Sequence, residues 1–143
     1  MIRDMIQSDT EHVLEMMRVF YASPAVLSNG SDEIFRNDIA GCVGDCPYLE
    51  GYIFEDDAKI LGYAIAAKSF STELGKPCIW IEDLYIKPEF RGMGIGKEFI
   101  EYIEQKYPEC AMCLEAEEEN QNAISLYKKC GFEAWPYVEM KKR

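Results

Sequence analysis

Histidine is almost absent from this chain: His12 is the one in 143 residues. A nucleophilic triad ordinarily takes an imidazole as its base, and structural zinc sites draw four ligands from Cys and His, so both classes lose their usual partner. The six cysteines at 42, 46, 78, 110, 113 and 130 give only Cys42/Cys46 and Cys110/Cys113 as close pairs, neither beside a histidine. They are expected as reduced thiols, with no metal. Positive charge is scarce as well. Fifteen Lys and Arg face 26 Asp and Glu, a net charge of −11, and that field repels phosphate backbones and anionic bilayers while favouring cations. Neither nucleic acid nor a membrane is expected as a partner. No apolar run reaches membrane-spanning length, and Met1-Ile2-Arg3-Asp4-Met5 lacks the basic-then-apolar plan of a secretory signal, so a cytoplasmic, soluble protein is expected.

Apolar residues make up 48% of the chain and aromatics 13%, which suits one core in one domain spanning residues 1–143. The pattern reads as α+β. Ser8-Asp9-Thr10-Glu11 has the S-x-x-E form of a capping box ahead of Val13, Met17, Phe20 and Tyr21 at helical spacing, and Pro24 bounds that helix. Ser31-Asp32-Glu33 begins a second helix, through Ile34, Phe35 and Ile39 to the Gly41–Gly44 region. Tyr52–Phe54 and Ile60–Ala67 flank Glu55-Asp56-Asp57-Ala58-Lys59 as a β-hairpin, and Cys78–Ile86 is a further strand ended by Lys87-Pro88. An amphipathic helix carries Ile95, Phe99 and Ile103, Ala111–Ala116 follows as a strand, and a last helix runs from Asn120 to a cap at Gly131. Strand, helix and strand in that order predict one right-handed parallel crossover, in a sheet that is otherwise mostly antiparallel and flanked by about four helices. Phe132–Lys142 has room for one or two closing strands.

Glycine numbers only ten, yet positions 92, 94 and 96 fall between a strand and a helix, where free backbone N–H groups and a helix N-terminus bind phosphate. Two familiar phosphate loops fail on spacing. The Walker form needs glycine at 91 and a hydroxyl at 98, where this chain has Arg91 and Glu98. The dinucleotide fingerprint needs glycine at 97, where Lys97 stands.

What remains, Arg91-Gly92-Met93-Gly94-Ile95-Gly96, resembles the R/Q-x-x-G-x-G/A pyrophosphate loop of the GNAT superfamily of acyl-CoA-dependent N-acetyltransferases. Asn120-x-x-Ala123-x-x-x-Tyr127-x-x-x-Gly131-Phe132 is similar to that family's second cofactor-contacting segment, and the two motifs with the order of elements cover essentially the whole chain. The resemblance implies acetyl-CoA as co-substrate, held by Arg91, Gly92, Met93, Gly94, Ile95, Gly96 and Lys97 and by Asn120 and Ala123. The main chain of Leu84, Tyr85 and Ile86, on a strand that splays from its neighbour, would meet the pantetheine arm. Tyr127 takes the place of the family's general acid at the departing sulfur. A homodimer, frequent in the family, is an open possibility.

Acetyl transfer to a primary amine requires a neutral nucleophile, while a lysine-like amine has a pKa of about 10.4, leaving roughly one molecule in 2,500 neutral at pH 7. A base is needed. Glu82 and Asp83 are adjacent acids inside an apolar strand, a costly placement unless they line a cleft. Neighbouring strand residues point to opposite faces, so one of them faces substrate unless a bulge intervenes, and Glu82 is the choice, directly or through water. Ile79-Trp80-Ile81-Glu82-Asp83-Leu84-Tyr85-Ile86 also resembles the corresponding stretch of spermidine/spermine acetyltransferases, where the first acid is the implied base. Trp80, Phe70 and Tyr21 are candidates for an apolar wall. A cysteine relay through Cys78 or Cys113 lacks a nearby histidine and ranks low.

The expected activity is therefore transfer of an acetyl group to a small cationic amine, a polyamine or amino acid, by direct attack, without metal. The rivals are a non-catalytic acyl-CoA-binding sensor, an acetyltransferase for a protein N-terminus or an aminoglycoside, and a protein-protein adaptor. A sensor needs the Arg91 loop but neither Glu82 nor Tyr127.

Overall fold

The computed structural model describes all 143 residues. Its sheet has five strands, β1 (Ile2–Asp4), β2 (Leu49–Asp56), β3 (Lys59–Ser71), β4 (Lys76–Ile86) and β5 (Ala111–Leu114), in the spatial order of the chain. The first three pairings are antiparallel and β4/β5 is parallel, the one crossover expected from the strand-helix-strand order. Four helices cover it: α1 (Thr10–Tyr21), α2 (Asp32–Val43), α3 (Ile95–Lys106) and α4 (Gln121–Lys129).

Alternation along the strands divides the core into two layers. Ile53, Tyr63, Ile65 and Tyr85 pack with Val13, Leu14, Met17, Phe35 and Ile39 of α1 and α2. Tyr52, Phe54, Ala64 and Ala66 meet Phe99, Ile100 and Ile103 of α3 on the other face. In β4 that alternation slips once. Ile79 and Ile81 belong to the α3 layer, and so do Leu84 and Ile86, which an unbroken strand could not arrange. The register explains it: Ile81 opposes Ala66 and Asp83 opposes Ile65, so Glu82 is an extra residue, a β-bulge.

Helix ends follow local chemistry. Ser31 Oγ accepts from the N–H of Ile34 at 3.3 Å, and Asn120 Oδ1 from that of Ala123 at 3.4 Å. Gly131, at φ +93°, ends α4, and the Phe132 N–H then donates to Tyr127 O at 3.0 Å while the two rings meet edge to face. This is a Schellman closure with its hydrophobic clasp, so the glycine-aromatic end of the second motif is what fixes the Tyr127 ring.

Two expectations are corrected, and one strand is added. Ser8 does not cap α1: Asp9 is the N-cap, within a tight turn at Gln7–Asp9, and its carboxylate serves Arg3 at 2.8 Å and the Ile6 N–H at 2.8 Å instead. Ile2–Asp4 is a strand, too short for alternation to reveal. Residues 132–143 form no strand. Beyond Phe132 none of their backbone groups joins a hydrogen bond to the rest of the main chain. The one neighbouring free edge, β5, has four residues and continues into Glu115, Glu117, Glu118 and Glu119, while Pro136 has no N–H to give. A side chain ties the segment to the sheet's outer end, where Tyr137 donates to Glu73 at 2.8 Å, and Lys141 pairs with Glu139 at 3.2 Å within the segment.

Candidate active site

The parallel pairing of β4 and β5 runs from Cys78↔Ala111 to Ile81↔Leu114 and stops. β4 continues to Ile86 while the chain beyond Leu114 turns toward α4, so the strands part and a cleft opens between them. Phe20, Ala25, Ile81, Glu82, Leu84, Leu114, Glu115, Ala116, Asn120, Ala123 and Tyr127 line it. Glu82 and Tyr127, 45 positions apart in sequence, face the same cavity.

Main-chain groups along the open edge of β4 are not equivalent. The Lys87 N–H donates to Leu61 O of β3 at 2.9 Å, and a side chain at Gly62 would meet Tyr85 O at 2.2 Å, so Tyr85 and Lys87 direct their polar groups into the sheet. By alternation, Leu84 and Ile86 direct theirs to the open edge. Tyr85 is thus set apart from the expected contact set: its main chain serves β3, and its ring is buried among Phe20 and Tyr63. Ile86 O already accepts from Arg91 Nε at 2.8 Å. That bond holds the Arg91 guanidinium between the end of β4 and the glycine loop, with its two terminal nitrogens free of protein partners.

The loop itself is an array of donors. Gly92 and Gly94 have φ of +78° and +84°, a conformation that suits glycine, and space around both is open. The N–H groups from Gly92 through Lys97 donate to no carbonyl or side chain of the protein; the first backbone bond of α3 is Glu98 N–H to Gly94 O at 3.0 Å. Consecutive free N–H groups at a helix N-terminus are a site for an anion. Met93 and Lys97 are exposed at its rim. Gly96 is buried against Leu126 of α4, 3.0 Å from where its side chain would begin, so this glycine serves helix packing.

The profile of the acetyltransferase (GNAT) family matches residues 13–132. The chain belongs to the GNAT acetyltransferases. Among curated relatives, the thialysine N-epsilon-acetyltransferase of Bos taurus is 28% identical over 144 residues, covering 92% of this chain and 82% of that one. Peptidyl-lysine N-acetyltransferase YiaC of Escherichia coli K12 is 27% identical over 137 residues with the same coverage. The solved structure of a possible acetyltransferase from Clostridium difficile 630 superposes with a TM-score of 0.84 at 16% identity, over 100% of this chain and 96% of the other. Aminoglycoside N-acetyltransferase AAC(6')-Iy in complex with CoA gives 0.81 at 19% identity, over 100% and 93%.

In this N-acetyltransferase the electrostatics of the cleft are those of crowded acids. Glu82 stands on the bulge, partly open to solvent, and its carboxyl is raised above the ordinary glutamate value by desolvation first and by Asp83 second. Asp83 is buried at 4% exposure and accepts from Tyr21 at 2.9 Å and Tyr63 at 2.7 Å. Burial raises its carboxyl while the two phenols oppose the rise. Asp38, on α2, is pushed up to about 6 by burial and then by Asp83 and Glu82. At the far wall Glu115 is pushed up to about 7 by burial and by its hydrogen bond with Glu139, whose own carboxyl is lowered.

Tyr127 is half-buried, its phenol raised above the ordinary value by desolvation, so it stays protonated at neutral pH. Its hydroxyl makes no hydrogen bond within the protein while facing the cleft. Of the residues considered for an apolar wall, Tyr21 instead holds Asp83, Phe70 is 59% exposed away from the cleft, and Trp80 is not among the lining residues. Phe20 and Ala25 form the wall in their place. Asp38 was not legible as a member of the group. Its one signal is position: it precedes Ile39 on the inward face of α2, turning a carboxylate toward the sheet.

Proposed function

We propose that this N-acetyltransferase uses acetyl-CoA to acetylate the terminal primary amine of a small cationic acceptor by direct attack, with Glu82 as base and Tyr127 as acid. The observation that carries this reading is the cleft between the parted strands, where Glu82 and Tyr127 line one cavity beside the free edge of Leu84 and Ile86. Arg91 and the N–H groups of Gly92 through Lys97 would take the pyrophosphate, with Asn120 and Ala123 along the opposite wall. Acetyl-CoA supplies the activated acyl carbon.

Glu82 accepts a proton from the acceptor's ammonium, and its raised carboxyl makes it a stronger base than an unperturbed glutamate. The freed amine attacks the acyl carbon; the C–N bond forms, the C–S bond breaks, and its electron pair leaves on sulfur. Tyr127 donates its phenolic proton to that sulfur and is restored by the second proton shed from nitrogen. The products are the acetamide and the free thiol, with one net proton passing from Glu82 to solvent. Glu82 and Glu115 line the cleft, and in a chain of net charge −11 such a site raises the local concentration of a cation. The bovine and bacterial relatives are named for thialysine and peptidyl-lysine, both terminal amines on a short chain.

Calorimetric titration with acetyl-CoA, followed by thiol release across thialysine, spermidine, lysine, a lysine peptide and an aminoglycoside, tests this reading. Binding with release on a free diamine or amino acid is the expected result. Release confined to the peptide or the aminoglycoside overturns the acceptor class, and binding without release on any amine favours the sensor.

A further inference from the structure

We propose that Cys78 and Cys113 are a reversible disulfide site whose oxidation fastens β5 to β4 at the base of the cleft and weakens acyl-CoA binding there. Their Sγ atoms lie 2.8 Å apart, so a bond of about 2.05 Å needs the sulfurs to close by less than 1 Å. Cys78 is 2% exposed, and Cys113 is half-buried on the edge strand, open enough for a small oxidant. Both belong to the sheet face opposite Ile79 and Ile81, and no other element comes between them. The transfer mechanism uses neither thiol.

Position gives the pair its consequence. Cys78 is registered with Ala111, and Cys113 with Trp80, so the bonded residues are two positions out of line. Joining them draws β5 along β4. The residue after Cys113 is Leu114, partner of Ile81 in the last pair before the strands part, and Leu114, Glu115 and Ala116 are a wall of the cleft. A slip of β5 therefore moves that wall relative to Glu82 and Leu84. A bond that pulls a registered pair out of line is also one that thiol reductants reopen readily.

The chemistry balances with a hydroperoxide as oxidant. The Cys113 thiol is oxidised by hydrogen peroxide to a sulfenic acid with release of water; the Cys78 sulfur attacks the Cys113 sulfur, the S–O bond breaks, and a second water leaves. Two thiols lose two hydrogens and two electrons, and one peroxide becomes two waters. Cys78 acts second because burial and the neighbouring thiol push it up to about 12, leaving it a poor first nucleophile.

The test treats the whole purified chain with hydrogen peroxide, quenches with catalase, alkylates remaining thiols and measures intact mass and tryptic peptides. Trypsin leaves Cys78 on residues 69–91 and Cys113 on residues 107–128, the latter together with Cys110. The expected result is a mass lower by two hydrogens, a cross-linked pair of those peptides that survives Cys110→Ser and vanishes with Cys113→Ser, and reversal by dithiothreitol. Calorimetry on the same samples is expected to show acetyl-CoA binding at least fivefold weaker to the oxidised chain, an effect absent from Cys113→Ser. No cross-linked peptide, or a cross-link that leaves affinity unchanged, overturns the proposal. The affinity arm rests on the acetyl-CoA reading above; failure of that reading shows separately, as no binding to the reduced chain.

Discussion

Glu50 at the start of β2 and Glu82 on the bulge of β4 are acids of one sheet, and the fold treats their charges in opposite ways. Glu50 is surrounded by donors: Lys68 at 2.9 Å, Lys106 at 3.3 Å, and the hydroxyls of Tyr52 and Tyr107. These outweigh its burial and hold its carboxyl down at about 2. Glu82 has no such partner, and its charged neighbour on the strand is Asp83, whose two phenol donors are already spent on its own oxygens. The same residue type is thus a tie in one strand and an unpartnered acid at the cleft in another. What separates them is whether the fold completes the carboxylate's hydrogen bonds or leaves them open to a ligand.

The largest expected effect comes from removing the open acid. Glu82→Gln should lower kcat/KM by about 10²–10³-fold, in the range of a lost general base, with thermal stability unchanged or slightly improved because an unpaired charge has gone. In the parent, the acidic limb of the kcat/KM profile should lie above the ordinary glutamate value, following the raised Glu82 carboxyl, and the substitution should flatten it. A limb that stays in place assigns the base to another group.

Glu50→Gln should do the reverse. A carboxyl lowered from 4.5 to about 2, with a side chain 20% exposed, corresponds to about 3 kcal/mol of stability at pH 7. The folded value lies below the unfolded one, so this contribution is full above about pH 4.5 and is lost as pH falls toward 2. Chemical denaturation of parent and variant should therefore differ most at pH 6 to 7 and converge below pH 2, while kcat holds. Tyr127→Phe is next, with a fall in kcat of about 10–100-fold and little change in acetyl-CoA affinity, read by single-turnover thiol release. An unaltered rate removes the acid role from Tyr127.

The contrast also shows what the sequence could carry. Arg91-Gly92-Met93-Gly94-Ile95-Gly96 and the Asn120 to Phe132 motif are local, because turn conformation, free N–H groups and helix caps are decided within a few residues. The Glu82-Asp83 dipeptide stands out as an oddity in an apolar strand, where plain alternation turns one of the two acids to a cleft unless a bulge intervenes. That the bulge exists depends on the register with β3, which is a tertiary fact. Tyr85 is a related case: which residues turn their main chain outward is fixed by the Lys87 to Leu61 bond, across two strands. The Glu50 cluster draws Lys68, Lys106 and Tyr107 from β3 and the end of α3, and Cys78 meets Cys113 across 35 positions; no periodicity announces either. The C-terminal segment has a strand-like composition and lacks an edge long enough to receive it.

Asp38 gives the smallest effect and the sharpest form of the comparison, since it shares the acidic surroundings of Glu82 without lining the cleft. Its carboxyl is raised to about 6 by burial, with Asp83 and Glu82 adding repulsion. For an acid whose folded value exceeds its unfolded one, ionisation opposes folding: the penalty is absent below about pH 4, where both states are protonated, grows through the interval, and is full above 6. Asp38→Asn should accordingly stabilise the protein by about 1 kcal/mol at pH 7, a figure reduced for its partial contact with solvent, and by nothing at pH 3.5. The same substitution removes one carboxylate facing Glu82, so the acidic limb of the Glu82 profile should move slightly toward lower pH. Stability that rises without that movement would show that Asp38 is electrically separate from Glu82, and that the repulsion Glu82 experiences comes from Asp83 and Glu139.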